Sequence, residues 1–323
     1  MSEQNIRLSD IAEAQERIAG HVVGTNLALS PILTNVAGVP IYLKLENHQL
    51  TGSFKVRGAT NAVLCLSDDE RKRGVVGVST GNHGRGLAYA AKQAGVRCVI
   101  CMSSLVPANK VDGIKALGAE VKILGKSQDE AQVEVDRLVN EEGMTMIPPF
   151  DHADVIAGQG TLGLEIIAQL PDVATIVVPL SGGGLISGIA LAAKKTNPEI
   201  KIIGVSMARG AAMHASQQAG KPIMVEELET IADSLGGGIG MDNAFTFSMV
   251  RDLVDDIVLL SEDEIKNAIH HAYWDEAEIV EGSGAVGIGA VLAKRINPTG
   301  PTVLLVSGKN IDMKLHHQIV SAN

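Results

Sequence analysis

Between residues 74 and 205, short runs rich in Val and Ile take turns with segments of helical length, and few architectures accommodate that alternation. The runs are 74–78, 96–102, 120–124, 144–147, 175–179 and 201–205. Between them the spacing predicts helices over 84–94, 108–117, 127–141, 154–170 and 186–195. Strands separated by helices pair in parallel as βαβ units. Near-continuous Val and Ile content marks strands covered on both faces. Upstream, a helix is expected over 7–20, a strand-like run over 40–45 and a helix over 58–66. Downstream come helices over 209–218, 244–254, 262–278 and 283–295, an irregular glycine-rich stretch over 234–243, a strand over 302–306 and a terminal helix over 311–321. The length, 323 residues, suits one large α/β domain or two smaller ones.

Composition removes whole classes of partner. With 27 basic and 37 acidic residues the net charge is −10, which disfavours nucleic acid and acidic membrane surfaces. Aromatics at 2% leave little for base stacking. No apolar run reaches membrane-spanning length. The start, Met-Ser-Glu-Gln-Asn-Ile-Arg, lacks the order of a signal peptide, so a soluble, cytoplasmic protein is expected. Cys98 and Cys101 lie in one apolar run and, three apart on a strand, should face opposite ways. They read as core residues rather than a metal or redox pair.

In Thr51-Gly-Ser-Phe-Lys-Val-Arg-Gly58 a lysine sits between an aromatic and an aliphatic side chain. Most lysines stay in water. One crowded by Phe54 and Val56 sheds its charge more readily, and a free amine attacks carbonyls. Lys55 is thus a candidate to hold an aldehyde cofactor as an imine. The alternative is a surface lysine at a helix start.

Other candidates sit where strands give way to helices. Leu180-Ser-Gly182-Gly183-Gly184-Leu185 follows the run 175–179 and opens the helix 186–195. Consecutive glycines let backbone N–H groups converge on an anion, and the helix dipole assists. After Gly182 and Gly184 the next glycine is Gly188, one residue off the dinucleotide fingerprint, and no Walker loop exists. A small monophosphate fits better than a nucleotide; a ligand-free tight turn is the other reading. Ser79-Thr80-Gly81-Asn82-His83-Gly84-Arg85 forms a second such turn, suited to a carboxylate. Asn82 offers an amide donor to a phenolic oxygen. His83 is a candidate base or a structural hydrogen-bonder. Arg85 is either solvated or ion-paired, or it reaches a second substrate carboxylate. Ser307 follows the last strand, where open sheets bind ligands, or it caps the terminal helix. Glu281 is buried or caps the helix after it.

Ser53–Ala59, Ser79–Gly84, Ala157-Gly-Gln-Gly-Thr161, the glycines at 182–184 and Ser307-Gly-Lys-Asn310 together resemble the serine/threonine dehydratases. These are pyridoxal-phosphate (PLP) enzymes of fold type II, the tryptophan-synthase β-like group. The resemblance runs from about residue 10 to the end, with the motifs in family order. Ile279-Val-Glu-Gly-Ser-Gly-Ala and the Asn-His-Gly-Arg-Gly turn look like the hydroxyectoine-utilisation branch. The resemblance implies two open, twisted, mostly parallel sheets flanked by helices. It places a small mobile domain, 48–141, within a large PLP-binding domain formed by 1–47 and 142–323. Lys55 would carry the cofactor and remove the substrate α-proton, with Ser79 and Thr80 also at the catalytic centre. Phe54, Asn82, Ser181, Gly182, Gly183, Gly184, Leu185 and Ser307 would bind PLP. Ser79, Thr80, Gly81, His83 and Arg85 would hold a small-molecule amino-acid substrate. No metal is expected, since Ser206 and Met207 stand where many relatives carry a metal-binding glutamate. A homodimer is the usual assembly.

A hydroxyl at Ser307, unlike a carboxylate, would not keep the pyridine nitrogen protonated, which favours expulsion of a β-hydroxyl over a long-lived carbanion. The expected activity is a PLP-dependent ammonia-lyase acting on threonine, serine, 3-hydroxyaspartate or a hydroxyectoine-derived hydroxy amino acid. The alternatives are a PLP-dependent racemase, for which Thr80 replaces the second serine of the racemases, and a non-catalytic PLP- or amino-acid-binding regulator.

Overall fold

The computed structural model describes residues 6–322 except 80, 105, 107, 126 and 127. The first half contains α1 (Leu8–Ile18), β1 (Leu27–Leu29), α2 (Pro31–Ala37), β2 (Ile41–Leu45), α3 (Lys55–Leu64), α4 (Asp68–Arg73), β3 (Val75–Val78), α5 (Asn82–Ala94), β4 (Cys98–Met102), α6 (Ala108–Ala116), β5 (Glu120–Ile123), α7 (Gln128–Glu142) and β6 (Thr145–Met146). The second contains α8 (Ala153–Gln169), β7 (Thr175–Pro179), α9 (Gly184–Thr196), β8 (Lys201–Met207), α10 (Ala212–Ala219), α11 (Thr246–Leu253), β9 (Asp256–Leu260), α12 (Glu262–Trp274), α13 (Gly282–Leu292), β10 (Thr302–Val306) and α14 (Met313–Val320).

The strands form two sheets, as the alternation requires. One has six strands in the order β1-β2-β10-β7-β8-β9, parallel except for β1, and the other four in the order β5-β4-β3-β6. The four-stranded sheet is parallel throughout, and β6, beyond residue 141, completes it. Side chains alternate across each strand. Leu304 and Val306 of β10 enter one apolar core, Val303 and Leu305 the other. In β4 the split separates Cys98 from Cys101. Burial pushes these thiols up to about 12 and about 11, so neither is a reactive thiolate.

The helix carrying Lys55 docks closely on its neighbour. A Cβ on Gly58 would lie 2.7 Å from the Val155 carbonyl oxygen, and one on Gly158 2.7 Å from the Gly58 Cα. Only glycine permits that crossing of α3 and α8. Beside it Arg57, fully buried, pairs with Glu46 at 2.8 Å and Glu165 at 2.6 Å, and Lys44 joins Glu165 at 2.8 Å.

Some elements depart from the sequence expectation. Helix α3 starts at Lys55 rather than residue 58, and α12 stops at Trp274 rather than 278, before Ala277 turns left-handed (φ 56°). Helix α4 was invisible to hydrophobic periodicity because Asp-Asp-Glu-Arg-Lys-Arg has no apolar face. A Ser67–Glu70 capping box holds it, with acids in its first turn and bases in its last. The short edge strands β1 and β9, and α2 behind its Ser30 cap, likewise lie outside the expected elements.

Candidate active site

The site begins where β10 ends. The Phe54 N–H donates to the Ser307 carbonyl at 3.1 Å, the Lys309 N–H to the Gly52 carbonyl at 2.9 Å, and Ser53 bridges Gly308. These bonds lash the start of α3 to the loop after β10. Lys55 and Ser307 thereby line one cavity, although far apart in sequence.

The Lys55 amine donates to the Pro149 carbonyl at 2.7 Å and lies 5.3 Å from the Phe54 ring centroid. Burial pulls it down to about 8, while the Glu281 carboxylate acts in the opposite sense. The amine is therefore substantially neutral at slightly alkaline pH.

Across the cavity, the chain leaves β7 and enters α9 through Ser181, Gly182 and Gly183. Gly183 has φ +92°, a conformation that suits glycine, and serves as the helix N-cap. A Cβ on Gly184 would lie 2.6 Å from the Phe150 carbonyl oxygen. A bare backbone at a helix N-terminus is an anion cradle.

Asn82 heads α5. Its amide donates to Glu281 at 2.6 Å, and its carbonyl oxygen accepts from Asn310 at 2.6 Å. Glu281 also accepts from the Asn310 N–H at 2.9 Å. This carboxylate is the N-cap residue of α13, buried, and in the cavity wall.

All the positions expected at the cofactor line this cavity: Phe54, Lys55, Asn82, Ser181 through Leu185, and Ser307. Phe150, Pro179, Ser234, Leu235 and Ser283, absent from the expectation, line it too. From the sequence, Glu281 reads only as a capping or buried residue.

The expected substrate residues are placed differently. The Ser79 hydroxyl accepts from the N–H groups of Gly81 (3.3 Å) and Gly84 (2.9 Å), holding the first turn of α5. Thr80 lies outside the described residues. His83 turns inward, with Nε2 2.8 Å from the Ile147 carbonyl, so that nitrogen carries the proton. Burial, aided by the Lys55 charge, pulls it down to about 3. Its structural role, one of the two readings open in the sequence, explains its absence from the cavity wall. Arg85 is half-buried one turn beyond Asn82.

The family model for pyridoxal-phosphate dependent enzymes matches residues 18–308. The chain belongs to that family. A Sinorhizobium fredii protein provisionally named a threonine dehydratase is 57% identical over 318 residues, covering 98% of this chain and 96% of its own. The L-threonine ammonia-lyase of Thermotoga maritima is 43% identical over 316 residues, covering 98% of this chain and 78% of its own. Maize serine racemase superposes with a TM-score of 0.92 at 36% identity, covering 97% of this chain and 96% of that one.

The cavity of this PLP family member fits the cofactor on its own terms. The Ser283 hydroxyl is buried in the wall without a hydrogen-bond partner, and the turn at 182–184 leaves backbone N–H groups uncovered by side chains. An amine, an anion cradle and an idle hydroxyl are what an aldehyde, a phosphate and a heteroaromatic ring would engage. Among the described residues no three His, Cys, Asp or Glu side chains group as a metal site, and no helix is long and apolar enough to cross a membrane.

Proposed function

We propose that this protein is a PLP-dependent carbon–nitrogen lyase that expels the β-hydroxyl of a hydroxy amino acid and releases a 2-oxo acid and ammonia. The carrying observation is the half-buried Lys55 amine, near pKa 8, in the same cavity as a helix-N-terminal glycine turn. The names of the curated relatives support the reaction class.

PLP, when bound, draws electrons away from the substrate α-carbon. The rest is the work of the chain. Gly182, Gly183, Gly184 and the Leu185 N–H would hold the phosphate, with Ser181 beside them. Asn82, oriented by Glu281 and Asn310, would present its amide to the phenolic oxygen. Phe54 would flank the ring. Once free, the Lys55 amine would accept the α-proton, and a pKa near ambient pH suits it to that exchange. Ser307 would meet the ring nitrogen with a hydroxyl, while Glu281, the cavity's carboxylate, is committed to Asn82 and Asn310. A hydroxyl rather than an acid at that nitrogen would favour departure of the β-hydroxyl over a lasting charge on the α-carbon. Ser79, Thr80 and Gly81 would receive the substrate carboxylate at the start of α5.

The unit built on the four-stranded sheet, about 48–141 with β6, would close over the substrate and exclude water. The reading includes a cytoplasmic location and a homodimer, the latter supported by the exposed apolar side chains Leu29, Ile32 and Val36 on β1 and α2. Its substrates are drawn from threonine, serine, 3-hydroxyaspartate and the hydroxyectoine-derived type.

Racemisation is the second reading, favoured by the likeness to maize serine racemase. It needs a base on the opposite face, and this chain has Thr80 where the racemases carry the second serine. Incubation with one enantiomer decides between them. Ammonia and a 2-oxo acid support elimination; the mirror-image amino acid accumulating instead contradicts it.

A further inference from the structure

Among the described residues, every arginine but one donates to a named oxygen. Arg57 donates to Glu46, Arg97 to Glu120 and Arg71 to the Leu64 carbonyl, for example. Arg85 alone donates to none, although it is half-buried. A cation partly removed from water with no hydrogen-bonded anion is unfavourable, and here only the Glu281 carboxylate acts on it, through space.

Its position says what the anion would belong to. Residues three and four apart share a helix face. Asn82, three before Arg85, bonds to Glu281 in the cavity wall. Gly86, four after Asn82, packs on the backbone of Lys55, 3.1 Å from a Cβ built there. Arg85 thus shares a helix face with Asn82 at the edge of the cavity, outside its wall. Its guanidinium rests over Gly113 of α6, where a Cβ would lie 2.7 Å from Cζ and 3.0 Å from Nη1. The absent side chain at 113 is what gives the guanidinium its seat. Burial pulls the guanidinium pKa down, and the Glu281 carboxylate, acting the other way, marks it as within electrostatic reach of the cavity.

We infer that Arg85 selects a β-hydroxy amino acid whose side chain ends in a second carboxylate, a hydroxy amino dicarboxylic acid such as 3-hydroxyaspartate. The inference rests on the lyase reading above and narrows it. Guanidinium and carboxylate match in a two-pronged hydrogen bond, and the substrate would supply the missing anion. Net loss of ammonia would then give the 2-oxo dicarboxylic acid: water leaves as the α-proton and β-hydroxyl depart, and returns in hydrolysis.

The test uses the PLP-loaded enzyme and reads ammonia release from 3-hydroxyaspartate and from threonine, each as separate stereoisomers. The wild type should prefer the dicarboxylate. Arg85→Gln should lower the ratio of the two kcat/KM values by about 10- to 100-fold, chiefly through KM for the dicarboxylate. Arg85→Lys should restore part of it. Gly113→Ala, which improves helix propensity but crowds the guanidinium, should lower the ratio as well. Calorimetry adds a readout without turnover: succinate should bind the wild type more tightly than butyrate does, and Arg85→Gln should abolish the difference. An unchanged ratio, or succinate and butyrate binding alike to the wild type, overturns the inference. Ammonia from threonine but not from the dicarboxylate overturns it too, and leaves the lyase reading standing. No ammonia from any β-hydroxy amino acid overturns the lyase reading itself.

Discussion

The Lys55 amine donates to the Pro149 carbonyl oxygen across 2.7 Å. A carbonyl orients the amine without the full charge compensation of a carboxylate, and Glu281 acts on it through space. Burial therefore prevails, and the pKa falls to about 8 from its ordinary 10.5.

Cofactor loading should follow that titration. Reconstitution of the cofactor-free protein with PLP should speed up as pH rises through about 8, because only the neutral amine adds to an aldehyde. Rates from absorbance across about pH 6 to 10 would show it. A midpoint near the ordinary lysine value would contradict it. The same shift opposes folding: below about 8 the charged amine is buried at a cost, which fades as pH climbs toward 10.5. Lys55→Met should stabilise the cofactor-free protein at neutral pH by up to about 3 kcal/mol while abolishing turnover. Denaturant titration checks the first effect, an ammonia assay the second.

His83 should make the fold acid-sensitive. Its folded pKa, about 3, lies below the ordinary 6.5, so the unfolded chain binds the extra proton first. Stability from this group is present above about pH 6.5 and drains as pH falls toward 3. His83→Gln should flatten the stability profile over that window. A profile as steep as wild type would rule out His83 as its source.

Arg57 should matter to the fold more than to the chemistry. It bridges Glu46 and Glu165 inside the protein, two residues from Lys55. Removing one member leaves buried charge uncompensated, so Arg57→Ala should cost about 3–5 kcal/mol. Urea unfolding of the cofactor-free protein measures this. A loss below about 1 kcal/mol would mean the network is poorly coupled to folding.

Gly183→Ala should weaken PLP binding at least about tenfold. Its φ of +92° disfavours any Cβ, and the added carbon would come within 2.9 Å of Met213. Spectroscopic titration of the cofactor gives the affinity; wild-type affinity in the variant would remove this turn from the site.

How much the amino-acid sequence discloses depends on distance along the chain. The glycine turn, the lysine motif and the Asn82 turn are local signals, each completed within a few residues of a strand end. The pair Asn82–Glu281 spans 199 positions, and no local pattern announces it. Phe150, Ser234 and Ser283 reach the cavity in the same way, through packing of distant elements. Helix α4 escaped because its six residues are all charged, and α3 gained its first turn because Lys55 through Arg57 are fixed by tertiary contacts. His83 was ambiguous in sequence because its partner, the Ile147 carbonyl, belongs to a distant loop.

Lys55 is the proposed covalent anchor for PLP. Borohydride reduction of the loaded protein, followed by peptide mass mapping, measures this directly. One pyridoxyl-labelled peptide is expected, with the label on Lys55, and none in Lys55→Ala. A label on another lysine, or no label on a protein that holds PLP, would contradict it.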